Sequence, residues 1–566
     1  MVRDKSQINM KFPAIRLNPG RIVLSIVTGL MGSLGYFEYE FAGVGLIWPF
    51  LLAIQSSGRL KDAFLSGWTS GTCFFGASLY WLWNNPYPQG AIPGWAILSL
   101  YSGIYIGIWS WLAAFFWREI SNPNAVRRGS RYLLTFANWP GWGMRLVWVL
   151  FAAGAWVCLE WLRSVMITGF PWNLLGISQA PMPVFSQLAR WGGVPLVSMS
   201  VCFMSLIFGL SLLQIVRQPG SPVVGLREVS PAMVVVMLLL SLIPLKPQTG
   251  SGEAPKKLII AAIQPGFSQS DIWNADKDHR TKMWDHLLGL TRSALESTNS
   301  VDLVMWPEGA SPVIGENELE VVSNLASEFA TPFAICLETA DFDPENPGKM
   351  VYFNSAMFID GRGKWHNEDG ETHALYHKQH LVPFGEFIPM VSIFPFLKKL
   401  IPIGGFERGS KPGLFHWKEK DIHLAFCICF EDTMAPLIRK STTAQTQIIL
   451  NMTNDAWFGR GAAQVLHARH ALFRSIELGI PMVRVTNNGL TCWTDPGGKL
   501  QGVQFSDDPD RPIHDAGIKF LEIPVRNGSI TPYRQYGYRL QTGVLVLTVG
   551  LMAIGLLKGR SLRKGI

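Results

Sequence analysis

The first 246 residues are dominated by long apolar runs that are separated by short polar segments. Seven such runs lie in this region, and an eighth follows near the C-terminus. Several of these runs approach the ~20 residues that an α-helix needs to cross a bilayer. The pattern therefore predicts about eight membrane-spanning helices, at residues 21–38, 41–56, 62–83, 92–117, 145–163, 194–216, 230–246 and 539–558.

Residues 253–535 have a different pattern, in which short apolar strands alternate with amphipathic helical segments. A linker rich in Pro, Gly and Ser, at residues 244–257, separates this region from the seventh apolar run. Strands that are apolar throughout and alternate with helices are typical of an α/β domain whose sheets are covered by helices. We therefore predict an α-helical membrane domain at residues 1–246, an α/β domain at 253–535 and a C-terminal membrane helix at 539–558.

The composition also indicates membrane attachment. Apolar residues make up 48% of the chain and charged residues only 16%, whereas soluble proteins contain roughly 25% charged residues. Lys and Arg are concentrated in alternate loops and in both terminal segments. By the positive-inside rule, both termini lie in the cytoplasm and residues 247–538 lie outside it. Because this topology accounts for much of the net charge of +8, no nucleic-acid partner is required.

Three polar residues follow separate apolar stretches of the α/β region. Glu308 lies near the end of DLVMWPEG, Lys378 lies in YHKQHLVPFGEFIP, and Cys429 lies in FCICFED. Side chains at strand ends are held by a rigid scaffold and often carry function. A carboxylate, an ammonium and a thiol together suit acyl transfer, because the carboxylate can deprotonate the thiol and the ammonium can stabilise the thiolate. The ammonium and the backbone N–H after the cysteine can hold the oxyanion of a tetrahedral intermediate.

Simpler interpretations remain open at this point. Cys427 and Cys429 could both be inert, since free cysteine is commonly buried. Glu308 could cap a helix, and Lys378 could be a surface charge. A disulfide between Cys427 and Cys429 is disfavoured, because side chains two positions apart on a strand do not meet well.

Four segments carry a family resemblance. WPEG, YHKQHLVPFGEFIP, CFED and NMTNDAWFG, in this order and spacing, resemble the nitrilase-like carbon–nitrogen hydrolase superfamily and its Glu-Lys-Cys triad. The surrounding membrane spans, together with TGFPWNLLG at residues 168–176, resemble the bacterial apolipoprotein N-acyltransferases. The resemblance covers nearly the whole chain and implies a membrane domain of about eight helices joined to an αββα sandwich outside the cytoplasm.

The resemblance implies specific catalytic roles. Glu308 would be the general base, Lys378 the triad lysine and Cys429 the nucleophile. Glu386 and Glu431 would be supporting acids close to the triad.

Other positions match the family's substrate contacts or depart from them. Trp273 would lie at the substrate entrance, and Gln264 and Gln269 keep the family's spacing. Trp172 is interpreted as an interfacial aromatic anchor or as part of the lipid path. Phe430 stands where the family commonly has tyrosine, and Ile272 stands where lysine is frequent; the loop NNPYPQG also departs from the family.

The implied reaction has two half-steps. Cys429 would take an acyl chain from a phospholipid, and the acyl-enzyme would donate it to the α-amino group of the S-diacylglyceryl cysteine that begins a lipoprotein. The partners are therefore membrane phospholipids and diacylated apolipoproteins, with no cofactor and no metal. The resemblance places the enzyme in the bacterial inner membrane, with its catalytic domain in the periplasm.

Two other functions remain open from the sequence. One is a membrane-tethered amidase or nitrilase in which water resolves the acyl-enzyme, and the other is an inactive scaffold that keeps the fold. A transporter is disfavoured, because the apolar runs contain few charges. The apolar, Pro- and Gly-interrupted segment 387–406 is either a mobile lid at the membrane surface or a loop packed on the domain.

The histidines are interpreted as structural. The spacing of His366, His373, His377 and His380 fits no strong zinc-ligand pattern. The two histidines of HARH, at positions 467 and 470, share one face of a predicted helix. In NDAWFG, the residues Asn454, Asp455 and Trp457 are expected to shape the wall of the active site.

Overall fold

The computed structural model describes residues 19–37, 39–56, 59–121, 139–218, 227, 229–231, 233–234, 255–298, 300–311, 316–343, 346–365, 375–389, 391, 395, 405–459, 462–502, 513–526 and 530–564. Most of the predicted lid at 387–406, most of the seventh predicted span, nearly all of the linker, and His366 and His373 lie outside the described residues.

The N-terminal part of the described chain is helical. Its α-helices are α1 (Pro19–Leu34), α2 (Trp48–Gln55), α3 (Leu60–Ser78), α4 (Pro88–Ile120), α5 (Trp142–Val165), α6 (Pro183–Ser186) and α7 (Ala189–Arg217). Short 3₁₀ helices lie at Tyr39–Leu46, Tyr80–Asn84 and Leu175–Gln179. Helix α7 bends at Gly193, whose φ of 68° is open to glycine but strained for residues with a side chain.

Three of these helices are long and apolar enough to cross a membrane: Pro88–Ile120, Trp142–Val165 and Ala189–Val216. Shorter apolar helices lie at Pro19–Leu34, Phe41–Gln55 and Gln541–Leu557. The described N-terminal part is thus helical, as predicted, and these three helices suggest a membrane domain, whereas the number of eight spans and the bounds 1–246 and 539–558 stay predictions.

Small residues allow close contact between helices α3 and α4. A Cβ atom added at Gly67 would lie 2.3 Å from Ser110 Oγ, and one added at Gly103 would lie 2.5 Å from Thr72 Oγ1. Association in a bilayer depends on such van der Waals packing, because lipid tails remove the hydrophobic driving force between helices.

The C-terminal part contains two six-stranded sheets and the remaining helices. The strands are β1 (Lys256–Gln264), β2 (Leu303–Met305), β3 (Phe333–Asp343), β4 (Asn346–Ile359), β5 (Leu375–His377), β6 (Leu414–Trp417), β7 (Ile422–Ile428), β8 (Ile448–Thr453), β9 (Met482–Thr486), β10 (Cys492–Thr494), β11 (Leu500–Gln501) and β12 (Gly517–Val525). The helices are α8 (Gln269–Asn274), α9 (Lys277–Ser297), α10 (Glu316–Glu328), α11 (Ala435–Lys440), α12 (Ala462–Leu478), α13 (Pro532–Tyr536) and α14 (Tyr538–Lys564).

The sheets pack face to face between helices. Their strand orders are β12-β1-β2-β3-β4-β5 and β11-β10-β9-β8-β7-β6, and strands β1–β3 and β7–β9 run parallel. Residues of both sheets, such as Ile260 and Leu450, share one core cluster. The outer face of the first sheet packs on α9 and α10, and that of the second packs on α11 and α12. The predicted helix-covered α/β sandwich is therefore confirmed.

Helix α12 joins the sandwich to the membrane helices. One face, with Ala471 and Leu478, packs on the second sheet. The opposite face, with Leu466 and Phe473, belongs to the same core cluster as Trp48 and other residues of the membrane helices. The ends of β7 and β8, which lie under α12, are consequently held close to the membrane domain.

Candidate active site

The three sequence-predicted reactive groups all follow strands. Glu308 comes three residues after β2, Lys378 directly follows β5, and Cys429 directly follows β7. The two sheets face each other, and β2 and β7 each belong to a parallel set. Functional side chains gather at the carboxyl ends of parallel strands, where loops leave a rigid sheet. The structure brings these three side chains into one buried cluster, although they come from different sheets.

Lys378 is the centre of the cluster. It is 1% exposed, and its Nζ lies 3.0 Å from Glu308 Oε1 and 2.9 Å from Glu386 Oε1. Burial alone would lower the pKa of Lys378, but the two carboxylates overcome this effect and hold the pKa well above its usual value. The side chain is therefore an ammonium ion at any physiological pH.

Asn354 on β4 orients both carboxylates. Its Nδ2 donates to Glu308 Oε1 at 2.6 Å and to Glu386 Oε1 at 2.8 Å. The other oxygen of Glu308 accepts from the backbone N–H of Asn454 at 3.1 Å, and that of Glu386 accepts from the N–H of Val382 at 2.8 Å. Each carboxylate is thus fixed by at least three partners. Glu308, Glu386 and Lys378 together carry one net negative charge when both carboxyl groups are ionised.

Cys429 occupies a strained position at the start of a 3₁₀ turn, Cys429–Thr433. Its φ of 52° is in the left-handed region, which few residues other than glycine adopt. The backbone N–H donates to Asn451 Oδ1 at 3.1 Å, so this N–H is already engaged. Strained residues of this kind cluster at functional sites, where the surrounding structure holds them in place.

Cys429 is buried, with 6% of the residue exposed. Burial raises its pKa well above the usual value, and Glu308 raises it further, whereas Lys378 and the N–H of Asn454 lower it. The net effect keeps the sulfur protonated at neutral pH, so the thiol needs a base before it can attack. Glu308, which contacts the same ammonium, is positioned to be that base.

Cys427 has different surroundings. It packs with Ala425, Ile438 and Ala471 on the helix-covered face of the second sheet. Cys429, two residues later, lies with the core between the sheets and beside the charged cluster. Of the two sulfurs, the geometry favours the second as the reactive one.

Glu431 connects the 3₁₀ turn Cys429–Thr433, called the nucleophile turn after the predicted role of Cys429, to the lysine loop, residues 378–380 after β5. Its fully buried carboxylate accepts from the hydroxyl of Tyr376 at 2.8 Å and from the N–H groups of Gln379, His380 and Ile428 at 2.7, 3.0 and 2.9 Å. Burial raises the pKa of this carboxyl, and the hydrogen bonds from Ile428, His380 and Tyr376 and the charge of Lys378 oppose that rise. Three of these donors belong to residues beside Lys378, and the fourth, the N–H of Ile428, directly precedes Cys429. The carboxylate of Glu431 therefore holds the backbone segments of Lys378 and Cys429 next to each other.

Phe430 faces the membrane domain. Its ring stacks on Trp172, with centroids 5.8 Å apart and planes 8° apart. Trp172 is 0% exposed, also contacts His467 and His470, and its carbonyl accepts from Arg163 Nη1 at 2.8 Å. The tryptophan therefore lies inside the protein, directly beneath the nucleophile turn.

Trp273 lies at the open side of the cluster. It is 45% exposed and packs edge to face on Trp457, with centroids 5.1 Å apart. Helix α8, which carries Trp273, also contacts the site. Its Gln269 Oε1 accepts a hydrogen bond at 3.1 Å from Nδ2 of Asn454, the residue whose backbone N–H donates to Glu308. Gln264 is buried and bonded to Thr486, Thr491 and backbone carbonyls, which is a structural arrangement.

The sequence analysis missed Asn354, Tyr376 and Asn451, which orient Glu308, Glu431 and Cys429 respectively. Each is a polar residue that lies buried within a strand. A buried polar group must be hydrogen-bonded, so such isolated polar positions could have indicated them.

Among the described residues, one histidine-containing group has potential metal ligands close together: His416, Asp421 and His423. The two rings are stacked face to face, 4.1 Å apart and within 6° of parallel. Ligand lone pairs lie in the ring plane, so these rings do not converge on one metal position. The group also lies at the start of β7, about 20 Å of strand away from Cys429 at its end.

Two family models match the chain. One, described as "Apolipoprotein N-acyltransferase N-terminal domain", matches residues 28–207, and the other, "Carbon-nitrogen hydrolase", matches residues 259–510. The second match includes Glu308, Lys378 and Cys429.

Curated relatives are similar over nearly the whole chain. Apolipoprotein N-acyltransferase of Rhizobium rhizogenes is 28% identical over 535 residues, which cover 89% of this chain and 92% of the relative. The protein of the same name from Pseudomonas aeruginosa is 28% identical over 564 residues, which cover 96% and 97%. A solved amidase from Nesterenkonia sp. aligns with 52% of this chain and 98% of its own, at 15% identity and a TM-score of 0.32.

Replacing Glu431 with Gln tests its role as the connection between the two loops. The amide places N–H groups against donors, so we expect a loss of about 1–3 kcal/mol of stability. Lys378 also moves relative to Cys429, and alkylation of Cys429 by iodoacetamide at pH 7 slows about tenfold, because the ammonium lowers the pKa of the thiol.

The matched control is Glu328→Gln, which changes an exposed carboxylate paired with Arg292. Thermal unfolding and peptide mass spectrometry report the two quantities. Glu431→Gln behaving like this control in both measurements would contradict the assignment.

Proposed function

This chain belongs to the apolipoprotein N-acyltransferase family, and from that membership and the geometry of the cluster we propose how it works. It is a membrane acyltransferase that moves an acyl chain from a phospholipid, through a thioester on Cys429, to the α-amino group of an N-terminal S-diacylglyceryl cysteine in a lipoprotein. The observation that carries the proposal is the buried contact of Lys378 with Glu308 beside a thiol that burial keeps protonated.

The first half-step forms the thioester. Glu308 takes the proton of the Cys429 thiol, and the sulfur attacks the ester carbonyl of the phospholipid. The negative charge that develops on the carbonyl oxygen is stabilised by the ammonium of Lys378 and by the backbone N–H of Phe430. The N–H of Cys429 is not used, because it donates to Asn451. The intermediate then expels the lysophospholipid alkoxide, which takes the proton from Glu308.

The second half-step forms the amide. The amine of the acceptor attacks the thioester carbonyl, loses a proton to Glu308, and the thiolate leaves and is reprotonated. An α-amino group has a pKa of about 7.7–8.0, so a useful fraction is neutral at physiological pH, unlike a lysine side chain. Transfer requires that water be kept from the thioester. The burial of Cys429 and the packing of Phe430 on Trp172 support this exclusion.

Both substrates carry acyl tails, which explains why the catalytic domain is attached to membrane helices. Each methylene removed from an apolar environment costs about 0.8 kcal/mol, so a complete tail cannot be lifted into water. Direct contacts hold the two parts together: Gln187 Nε2 donates to the carbonyl of Gly497 at 2.7 Å, and the N–H of Val194 donates to Glu477 Oε1 at 2.9 Å. Asn84 adds a bond to the carbonyl of Phe458 at 3.2 Å.

The topology is part of the proposal. A membrane domain at 1–246 and a C-terminal helix at 539–558 place the catalytic domain, 253–535, on the extracytoplasmic side of the bacterial inner membrane. The alternation of Lys and Arg between loops supports this orientation. No nucleic acid, cofactor or metal takes part in the proposed steps.

The assay that tests the function supplies the purified protein with a phospholipid and a diacylated lipopeptide. We expect a triacylated lipopeptide and a lysophospholipid as products. Cys429→Ala should abolish transfer, because the nucleophile is lost, whereas the matched control Cys427→Ala should retain most of it.

The alternative function gives a different product in the same assay. Free fatty acid without triacylated peptide would identify an amidase-like enzyme that uses water. No reaction in the wild type, together with no labelling of Cys429 by a thiol-reactive acyl probe, would identify an inactive scaffold.

A second prediction concerns Trp273, which we propose contacts the substrate. Trp273→Ala should raise the KM for the lipopeptide about fivefold to tenfold, because an exposed aromatic contact is lost. The rate of Cys429 alkylation should stay unchanged. Phe342→Ala removes another exposed aromatic ring of the same domain and should leave KM unchanged. Equal KM values for the two variants would show that Trp273 does not contact the substrate.

A further inference from the structure

A second charged cluster lies behind the nucleophile, and the reaction described above does not use it. Its members are Asp432, Asp455, His467 and Arg484, and all four side chains are fully buried. We call them the aspartate–histidine cluster. Arg484 Nη1 lies 3.0 Å from Asp432 Oδ2, and its Nη2 contacts Asp455 Oδ2.

His467 bridges the two aspartates. Its Nε2 lies 2.8 Å from Asp432 Oδ1, and its Nδ1 lies 2.9 Å from Asp455 Oδ1 and 3.0 Å from Arg484 Nη2. Carboxylate oxygens accept hydrogen bonds, so each ring nitrogen must carry a proton for both contacts to be favourable. A carboxylate oxygen close to each ring nitrogen favours the imidazolium form. Two cations then balance two anions, and the buried cluster has no net charge.

Asp432 is connected to the nucleophile. It lies in the 3₁₀ turn that begins with Cys429. Its Oδ2 accepts from Asn451 Nδ2 at 2.9 Å, and Asn451 Oδ1 accepts from the N–H of Cys429 at 3.1 Å. The left-handed backbone of Cys429 is thus held through Asn451 by the aspartate.

Asp455 is connected to the general base. It directly follows Asn454, whose N–H donates to Glu308 Oε2 at 3.1 Å and also stabilises the Cys429 thiolate. The charge of Asp455 is itself close enough to raise the pKa of that thiol. Any excess negative charge in the cluster therefore acts on the nucleophile.

We propose that His467 is a positioning residue of the acyl transfer: as an imidazolium between Asp432 and Asp455, it holds the nucleophile turn and the Asn454 turn together and cancels the negative charge behind Cys429. This inference rests on the proposed role of Cys429 as the nucleophile.

The other charged groups around His467 do not replace its charge. Arg474, on the same helix, is paired with Glu477 at 2.7 Å. Burial and neighbouring cations lower the pKa of His470 well below its usual value, so it is neutral. Arg469, also on α12, lies close enough to Tyr36 of the membrane domain to interact with it electrostatically. Cys492 on β10 is a protonated thiol, because burial raises its pKa to about 11, and Trp172 is uncharged.

The pH dependence follows from the same balance. Burial and Arg484 would lower the pKa of His467, but Asp432 and Asp455 overcome them and raise it above its usual value. The charge balance is therefore complete below pH ~6.5, the ordinary pKa of histidine, and is lost as the pH rises through the higher pKa of the folded protein. The free energy of unfolding and the rate of acyl transfer should therefore both decline as the pH rises through the raised pKa of His467.

The test is a charge-balance cycle with three full-length variants in detergent. His467→Gln leaves a net charge of −1, Asp455→Asn leaves +1, and the double variant returns the cluster to zero. The first readout is the rate of Cys429 alkylation by iodoacetamide at pH 7, measured by peptide mass spectrometry. We expect His467→Gln to slow it about tenfold, Asp455→Asn to leave it equal or faster, and the double variant to recover to within about threefold of the wild type.

The second readout is the pH profile of kcat for acyl transfer. The alkaline decline expected for the wild type should be absent from the double variant, which has no imidazolium to lose. A merely structural role gives a different result, in which both single variants are slowed and the double variant is slower than either. That result, or a wild-type alkylation rate in His467→Gln, would overturn the proposal.

The test stays informative when the single variant His467→Gln does not fold. Where His467→Gln fails to accumulate, a double variant with near wild-type yield and alkylation supports the proposal, and failure of the double variant overturns it. Alkylation needs no acyl acceptor, so a wild type without transferase activity would contradict the proposed function and leave this cycle decisive.

Discussion

The whole site depends on one positive charge that is placed where water does not reach it. Transferring an ammonium ion from water to a protein interior costs several kcal/mol unless nearby anions compensate for it. Glu308 and Glu386 provide that compensation at Lys378, and Asn354 holds both carboxylates in position. In the proposed mechanism the same ammonium also serves the chemistry, because it stabilises negative charge first on the sulfur of Cys429 and afterwards on the substrate oxygen.

The membrane imposes the second constraint, since acyl tails must remain in an apolar environment while their ester is cleaved. The structure meets it by sharing one core between the membrane helices and α12, and by stacking Trp172 on Phe430 next to the nucleophile. The catalytic domain is therefore not a soluble enzyme on a flexible tether. Its nucleophile turn is built partly on the membrane domain.

The sequence predicted those parts of the site that depend on short segments. Glu308, Lys378 and Cys429 each follow a predicted strand, and the alternation of apolar strands with helices was enough to expect an α/β domain with helix-covered sheets, which the family resemblance refined to a sandwich. It did not predict Asn354 or Asn451, because their roles come from pairing between strands that are distant in the chain. The aspartate–histidine cluster was hidden for the same reason: it joins four separate segments, and a buried histidine next to charged residues has no local pattern.

The central claim is that the acyl chain is carried on the sulfur of Cys429 between the two substrates. The most direct measurement is mass spectrometry of the wild-type protein, quenched with acid after mixing with phospholipid in the absence of acceptor. The account predicts a peptide containing Cys429 that is heavier by one acyl chain and loses it on treatment with hydroxylamine. An acyl chain found on a different side chain, or a complete transfer reaction without any acylated protein, would contradict it.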